Sequence, residues 1–200
     1  MSNLSHLTYE RIAEVLQQAD MISPATAQAC LAELGSSDPH LTPYDVALSL
    51  REFGVAVSIH SDDIDFLEDS YGWLLDEAAK VTGGAVTVAK VRLVEGEEDE
   101  GFGPPEFDSR DDVLEFERNG RSVSIPAEHF SEDYYDTAAA VQAVAEMSPD
   151  DSPRAFHIVD FARERNGVYD TVMALVSPEQ ARILEENLGL EIRGARHSVS

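Results

Sequence analysis

Lysine occurs only at Lys80 and Lys90, and with arginine it supplies 14 cations against 39 aspartates and glutamates. The formal charge of -25 excludes a nucleic-acid binder working through a basic surface. Cysteine occurs once, at Cys30, so no disulfide can form within the chain. No apolar run approaches the ~18 residues of a membrane span. Glu10, Arg11, Glu14 and Asp20 interrupt the stretch where a secretory leader would need a continuous apolar core, and a cytoplasmic protein is expected. Phosphate-loop, dinucleotide and zinc-protease signatures are missing as well, and Gly101-Phe102-Gly103 lies among acids that would repel a phosphate.

The apolar share of 43% is enough for a core. Folded as one body, the chain would expose about 9,300 Å² against roughly 32,000 Å² unfolded. Spread evenly over that surface, 25 net charges would lie about 19 Å apart, beyond the ~8 Å screening length. Such acidity costs little, and the excess of arginine over lysine is the bias expected of a GC-rich genome or a salt-adapted proteome. Clustering is what would produce a field. One cluster is the run from Glu95 to Asp112, which includes Glu97, Glu98, Asp99 and Glu100 and reads as a solvated, mobile loop over 95–111. It lacks the offsets of an EF-hand calcium loop.

Local periodicity predicts an α+β chain. Residues 1–83 read as a helical section of about four helices, 84–193 as an α+β section with two hairpins and two helices around an antiparallel sheet, and 194–200 as a frayed tail. Thr8 caps a first helix with Ile12, Val15 and Leu16 at a 3.6 period, Ser23-Pro24 opens a second that ends at Gly35, and Thr42-Pro43 opens a third that stops at Gly54. A fourth, capped by Ser61, is expected from Asp62 to about Lys80. Val86 to Val94 reads as a strand. Asn119-Gly120 marks a two-residue type I′ turn, which pairs Phe116 with Val123 and Leu114 with Ile125. After a helix from about Glu132 to Met147, a second hairpin around Asn166-Gly167 is expected to set Phe161 opposite Val172 and Ile158 opposite Leu175, central in the sheet. Ser177-Pro178-Glu179-Gln180 opens a last helix with a capping box, and Leu190 to Arg193 is an edge strand. Glu-Arg-Asn-Gly stands at both hairpin corners, which fits either a duplicated ββα unit or the turn preference of Asn-Gly alone.

Catalysis needs a nucleophile with a base, a ligand cluster or a phosphate loop, and the sequence spells out none of these. Cys30 lies among Ala27, Leu31 and Leu34, as an inert buried thiol would. His60 before Ser61-Asp62-Asp63 could bring nitrogen and oxygen ligands together, but two aspartates equally suit a helix start. Glu128-His129 near Glu132 and Asp133 could supply a base, while His157 and Asp160 alternate to opposite strand faces. No two histidines or cysteines share a ligand spacing, so neither a structural metal nor a cofactor is expected.

The fourth helix says more. At 100° per residue with Asp62 at 0°, Asp69 falls near -20°, Asp76 near -40° and Asp65 near -60°, a single acidic stripe. Phe66 and Trp73 border it, opposite a core face of Leu67, Tyr71, Leu74 and Leu75. Large aromatics among acids have the anatomy of a hot spot for a basic surface, although a covering helix would bury the same edge. The expected partner-binding residues are Asp62, Asp65, Phe66, Asp69, Trp73 and Asp76, with Glu97, Glu98, Asp99 and Glu100. Together they describe a binding protein, not an enzyme, that neutralises a basic protein partner, with neither nucleic acid nor membrane as partner. Its most concrete form is an immunity protein inhibiting a nuclease-like toxin. Two other classes fit the same residues: a small hydrolase or transferase using carboxylates and a histidine, and a housekeeping protein whose acidity is proteome bias.

Overall fold

A computed structural model describes residues 7–35, 41–96, 110–129, 131, 133–165 and 167–193. The fold is α+β, with helices and strands interspersed in two compact units, one formed by residues 1–58 and 150–200 and the other by 59–149.

In the first unit, α1 (Tyr9–Gln18), α2 (Pro24–Leu34) and α3 (Pro43–Glu52) begin at the expected caps. Each cap hydroxyl, on Thr8, Ser23 and Thr42, accepts from a backbone N–H three residues on, which satisfies a donor that the first helical turn cannot. The sheet has the order β1 (Ala56–Ile59), β6 (Thr171–Val176), β5 (Ala155–Asp160), β7 (Glu191–Arg193). The pair β5 and β6 is central and β7 lies at the edge, as expected. A last helix, α6 (Pro178–Leu188), carries the Ser177/Gln180 capping box. Val159, Val172, Ala174 and Ile192 on one sheet face join Ile12, Leu16, Leu50, Phe53 and Leu184 in one core.

The second unit lays α4 (Leu67–Val81) and α5 (Thr137–Glu146) on a three-stranded antiparallel sheet, β2 (Val88–Val94), β3 (Arg110–Arg118) and β4 (Arg121–His129). Strand β3 alternates, burying Asp112, Leu114, Phe116 and Arg118 and turning the residues between them outward. The Asn119-Gly120 turn sets the expected register, with Phe116 opposite Val123 and Leu114 opposite Ile125. Both turn residues have positive φ, 50° and 74°, as a type I′ turn requires.

Six expectations are corrected. The single antiparallel sheet expected over 84–193 is two sheets, because β5, β6 and β7 join β1 and leave β2, β3 and β4 as a sheet of their own. The helical section 1–83 is interrupted by β1, whose four residues are buried beside β6 in the sheet; next to the strands, Leu175 N donates to Val55 O at 3.0 Å and Ser58 Oγ to Asp170 Oδ2 at 2.6 Å. The fourth helix begins at Leu67 and not at Asp62, because Ile64 N donates to Asp133 O and Phe66 is left-handed at φ 58°. The helix expected from Glu132 starts at Thr137, where Asp136 Oδ1 accepts from Ala138 N at 2.9 Å. The second hairpin is shifted by two residues. Val159 faces Val172 and Ile158 faces Met173, and residues 161–170 form a longer connection that gathers Tyr44, Phe161 and Tyr169 with ring centroids 5.0 to 5.5 Å apart. Finally, Arg110 and Asp111, expected at the end of the acidic loop, belong to β3. The rest of that loop from Glu97 on, and the tail 194–200, lie outside the described residues.

Replacing Gly120 with alanine forces a side chain into the left-handed region, where open space around the site removes clash as a cause. The expected loss is about 1 to 2 kcal/mol, read by urea denaturation, with Gly120→Asn losing less.

Candidate functional site

The structure divides the expected partner residues. Asp69, Trp73 and Asp76 share one face of α4, at the i, i+4, i+7 spacing that brings side chains over one another. Asp62, Asp65 and Phe66 precede the helix and are exposed, so the stripe is two helical acids plus an approach segment. Glu97, Glu98, Asp99 and Glu100 lie outside the described residues. Leu67, Tyr71, Leu74, Leu75 and Ala78 turn inward, and Tyr71 packs edge-on against Tyr135 at 4.9 Å. At the helix start, Glu68 accepts from Leu93 N of β2 at 2.9 Å. These contacts fix the rotation of α4 and leave Trp73 60% and Phe66 74% exposed, so among the described residues no helix covers this edge. Near the approach segment, Tyr134 is exposed as well, and its hydrogen bond to the Asp63 carboxylate holds its hydroxyl above the ordinary range.

A second constellation escaped the sequence reading. Asp112 is fully buried and accepts from Arg110 twice, at 2.6 and 2.9 Å, and from Gly96 N at 2.9 Å. His129 Nδ1 stands 3.5 Å from the same carboxylate. The signal was available: the Asn119-Gly120 register, extended to the ends of the strands, sets Arg110 opposite His129 and puts Asp112 two residues on, hence on one face. Burial, the largest single influence, would raise the carboxyl. The Arg110 hydrogen bonds, the Gly96 amide and the Arg110 and His129 charges outweigh it and hold Asp112 below the usual carboxylate range. A carboxylate so engaged ties β3 to the chain entering the acidic run. With a histidine beside it, it also has the parts of an acid–base pair.

Elsewhere, Cys30 is half-buried, and burial with the Glu33 charge raises its thiol, which suits an inert residue. His157 lies in β5 opposite Ala174 and is pushed down by burial, partly offset by a backbone bond at Arg193. Among the described residues, no three His, Cys, Asp or Glu side chains are grouped to hold a metal ion, and no helix is long and apolar enough to cross a membrane. No family model, curated protein or solved structure matches the chain.

Two outcomes follow for Asp112 and His157. Asp112 contributes stability that is present above the unfolded carboxyl value of ~4 and lost as pH falls through its lower folded value. Asp112→Asn should therefore cost about 3 kcal/mol at pH 7, at the low end for a broken buried pair because Arg110 keeps some solvent access, and the cost should shrink under acid. For His157 the folded value is depressed, so the unfolded chain binds the extra proton and stability falls as pH drops below ~6.5. Chemical denaturation from pH 7 to pH 5 should show this decline, and His157→Gln should flatten it.

Proposed function

We propose that this chain is a binding protein that captures a basic protein partner through the α4 face, most concretely as an immunity-type inhibitor of a toxin acting on nucleic acid. The observation that carries the reading is Trp73, exposed on a helix between Asp69 and Asp76, with Phe66 exposed at the helix start. Aromatics held rigidly in water are poor for solubility and good as anchors, and surrounding carboxylates steer a cationic partner at long range. A nuclease site, built to hold phosphates, presents such a cationic surface. The Asp112–His129 contact favours a second reading, a small hydrolase or transferase in which His129 is the base. Against it, Arg110 and Gly96 already occupy the carboxylate.

The test combines stability with capture. Trp73→Ala should change unfolding free energy by less than about 1 kcal/mol, since the side chain is mostly exposed. The same change should weaken partner binding by about 2 kcal/mol or more. Wild-type chain immobilised against its native cell extract should retain a basic protein that elutes with salt, and Asp69→Lys with Asp76→Lys should not retain it. A stability loss of about 3 to 5 kcal/mol in Trp73→Ala would mark a core residue and remove the anchor. Retention unaffected by the charge reversals would remove the acidic face.

A further inference from the structure

The residues one turn either side of Trp73 on α4 are Asp69, Ser70, Asp76 and Glu77; Ser70 is buried and the other three are carboxylates. We infer that this face takes arginine side chains of the partner in preference to lysine, an inference that rests on the reading of α4 as the partner face. A guanidinium is planar and weakly hydrated, so it can lie on the indole while its edge donates paired N–H bonds to Asp69 or Asp76. An ammonium keeps its water and makes a point contact. The first unit already holds one of its own arginines this way: the Arg163 guanidinium lies 4.7 Å from the Phe161 ring centroid and 5.7 Å from that of Tyr169, with Nε 3.5 Å from Asp160. Charge selects the occupant, because a second copy of a chain carrying -25 would be repelled where a basic segment is drawn in.

Labelled nonapeptides alternating glycine with either arginine or lysine, titrated into the full chain at physiological salt, separate the possibilities by anisotropy. Trp73 is the sole tryptophan, so its emission reports the site directly. The arginine peptide should bind about fivefold or more tightly than the lysine peptide and alter Trp73 emission. Trp73→Leu should abolish the preference, and Asp69→Asn with Asp76→Asn should weaken both peptides. Equal affinities would overturn the arginine preference while leaving the acidic-face reading intact; failure of both peptides to bind would overturn both. A dimer that Trp73→Leu dissolves would assign the face to a second copy and overturn the inference as well.

Discussion

A carboxylate leaves water only when a cation or a set of donors goes with it, and this chain has 39 acids to distribute among 14 cations. That scarcity orders the structure. Where an acid is buried or half-buried, an arginine or hydroxyl accompanies it: Arg110 at Asp112, the Ser58 hydroxyl at Asp170, and Arg193 and Arg163 at the half-buried Asp160. Acids without such company must face solvent, and whatever stands between them on the same helix turn faces solvent too. Trp73 is exposed for this reason. Covering it with another element would bury Asp69 and Asp76 as well, and burying charges without partners costs more than one indole returns. The same argument underlies the proposed role of this face, since a basic protein would bring the missing cations.

Elements whose determinants are local were legible in the sequence. Caps at Thr8, Ser23, Thr42 and Ser177 need only a hydroxyl and the next three residues, and all four helices start where these residues place them. Elements set by distant partners were not. Strand β1 is four buried residues, Ser58 among them, whose identity as a strand depends on β6, more than a hundred positions away. The start of α4 depends on Asp133, which draws the Ile64 amide out of the helical ladder. Glu-Arg-Asn-Gly makes the point most directly. At Glu117 to Gly120 it closes a tight hairpin in which glycine supplies positive φ. At Glu164 to Gly167 it lies within the 161–170 connection, where the Tyr169 ring occupies the space a side chain on Gly167 would need. Glycine serves two purposes in one tetrapeptide: the second copy still turns, with Gly167 N donating to Glu164 O at 3.3 Å, but inside a longer connection held by the aromatic cluster of Tyr44, Phe161 and Tyr169.

The candidate site divides along the same line. Helical periodicity located Asp69, Trp73 and Asp76 on one face because those three share a helix, and it failed for Asp62, Asp65 and Phe66 because the left-handed turn at Phe66 breaks the angular bookkeeping. Whether the Trp73 edge would be covered was a tertiary question that periodicity could not answer, whereas charge allocation could have done so, since no cation in that stretch precedes Lys80. The Asp112 constellation was recoverable in principle. Register from Asn119-Gly120 reaches His129 and Arg110 without any long-range information, because β4 continues through Pro126 to His129. In a chain this acidic the informative carboxylate is the one with an arginine two residues away on the same strand face, because that spacing separates an acid that folds inward with its cation from acids that stay in solvent.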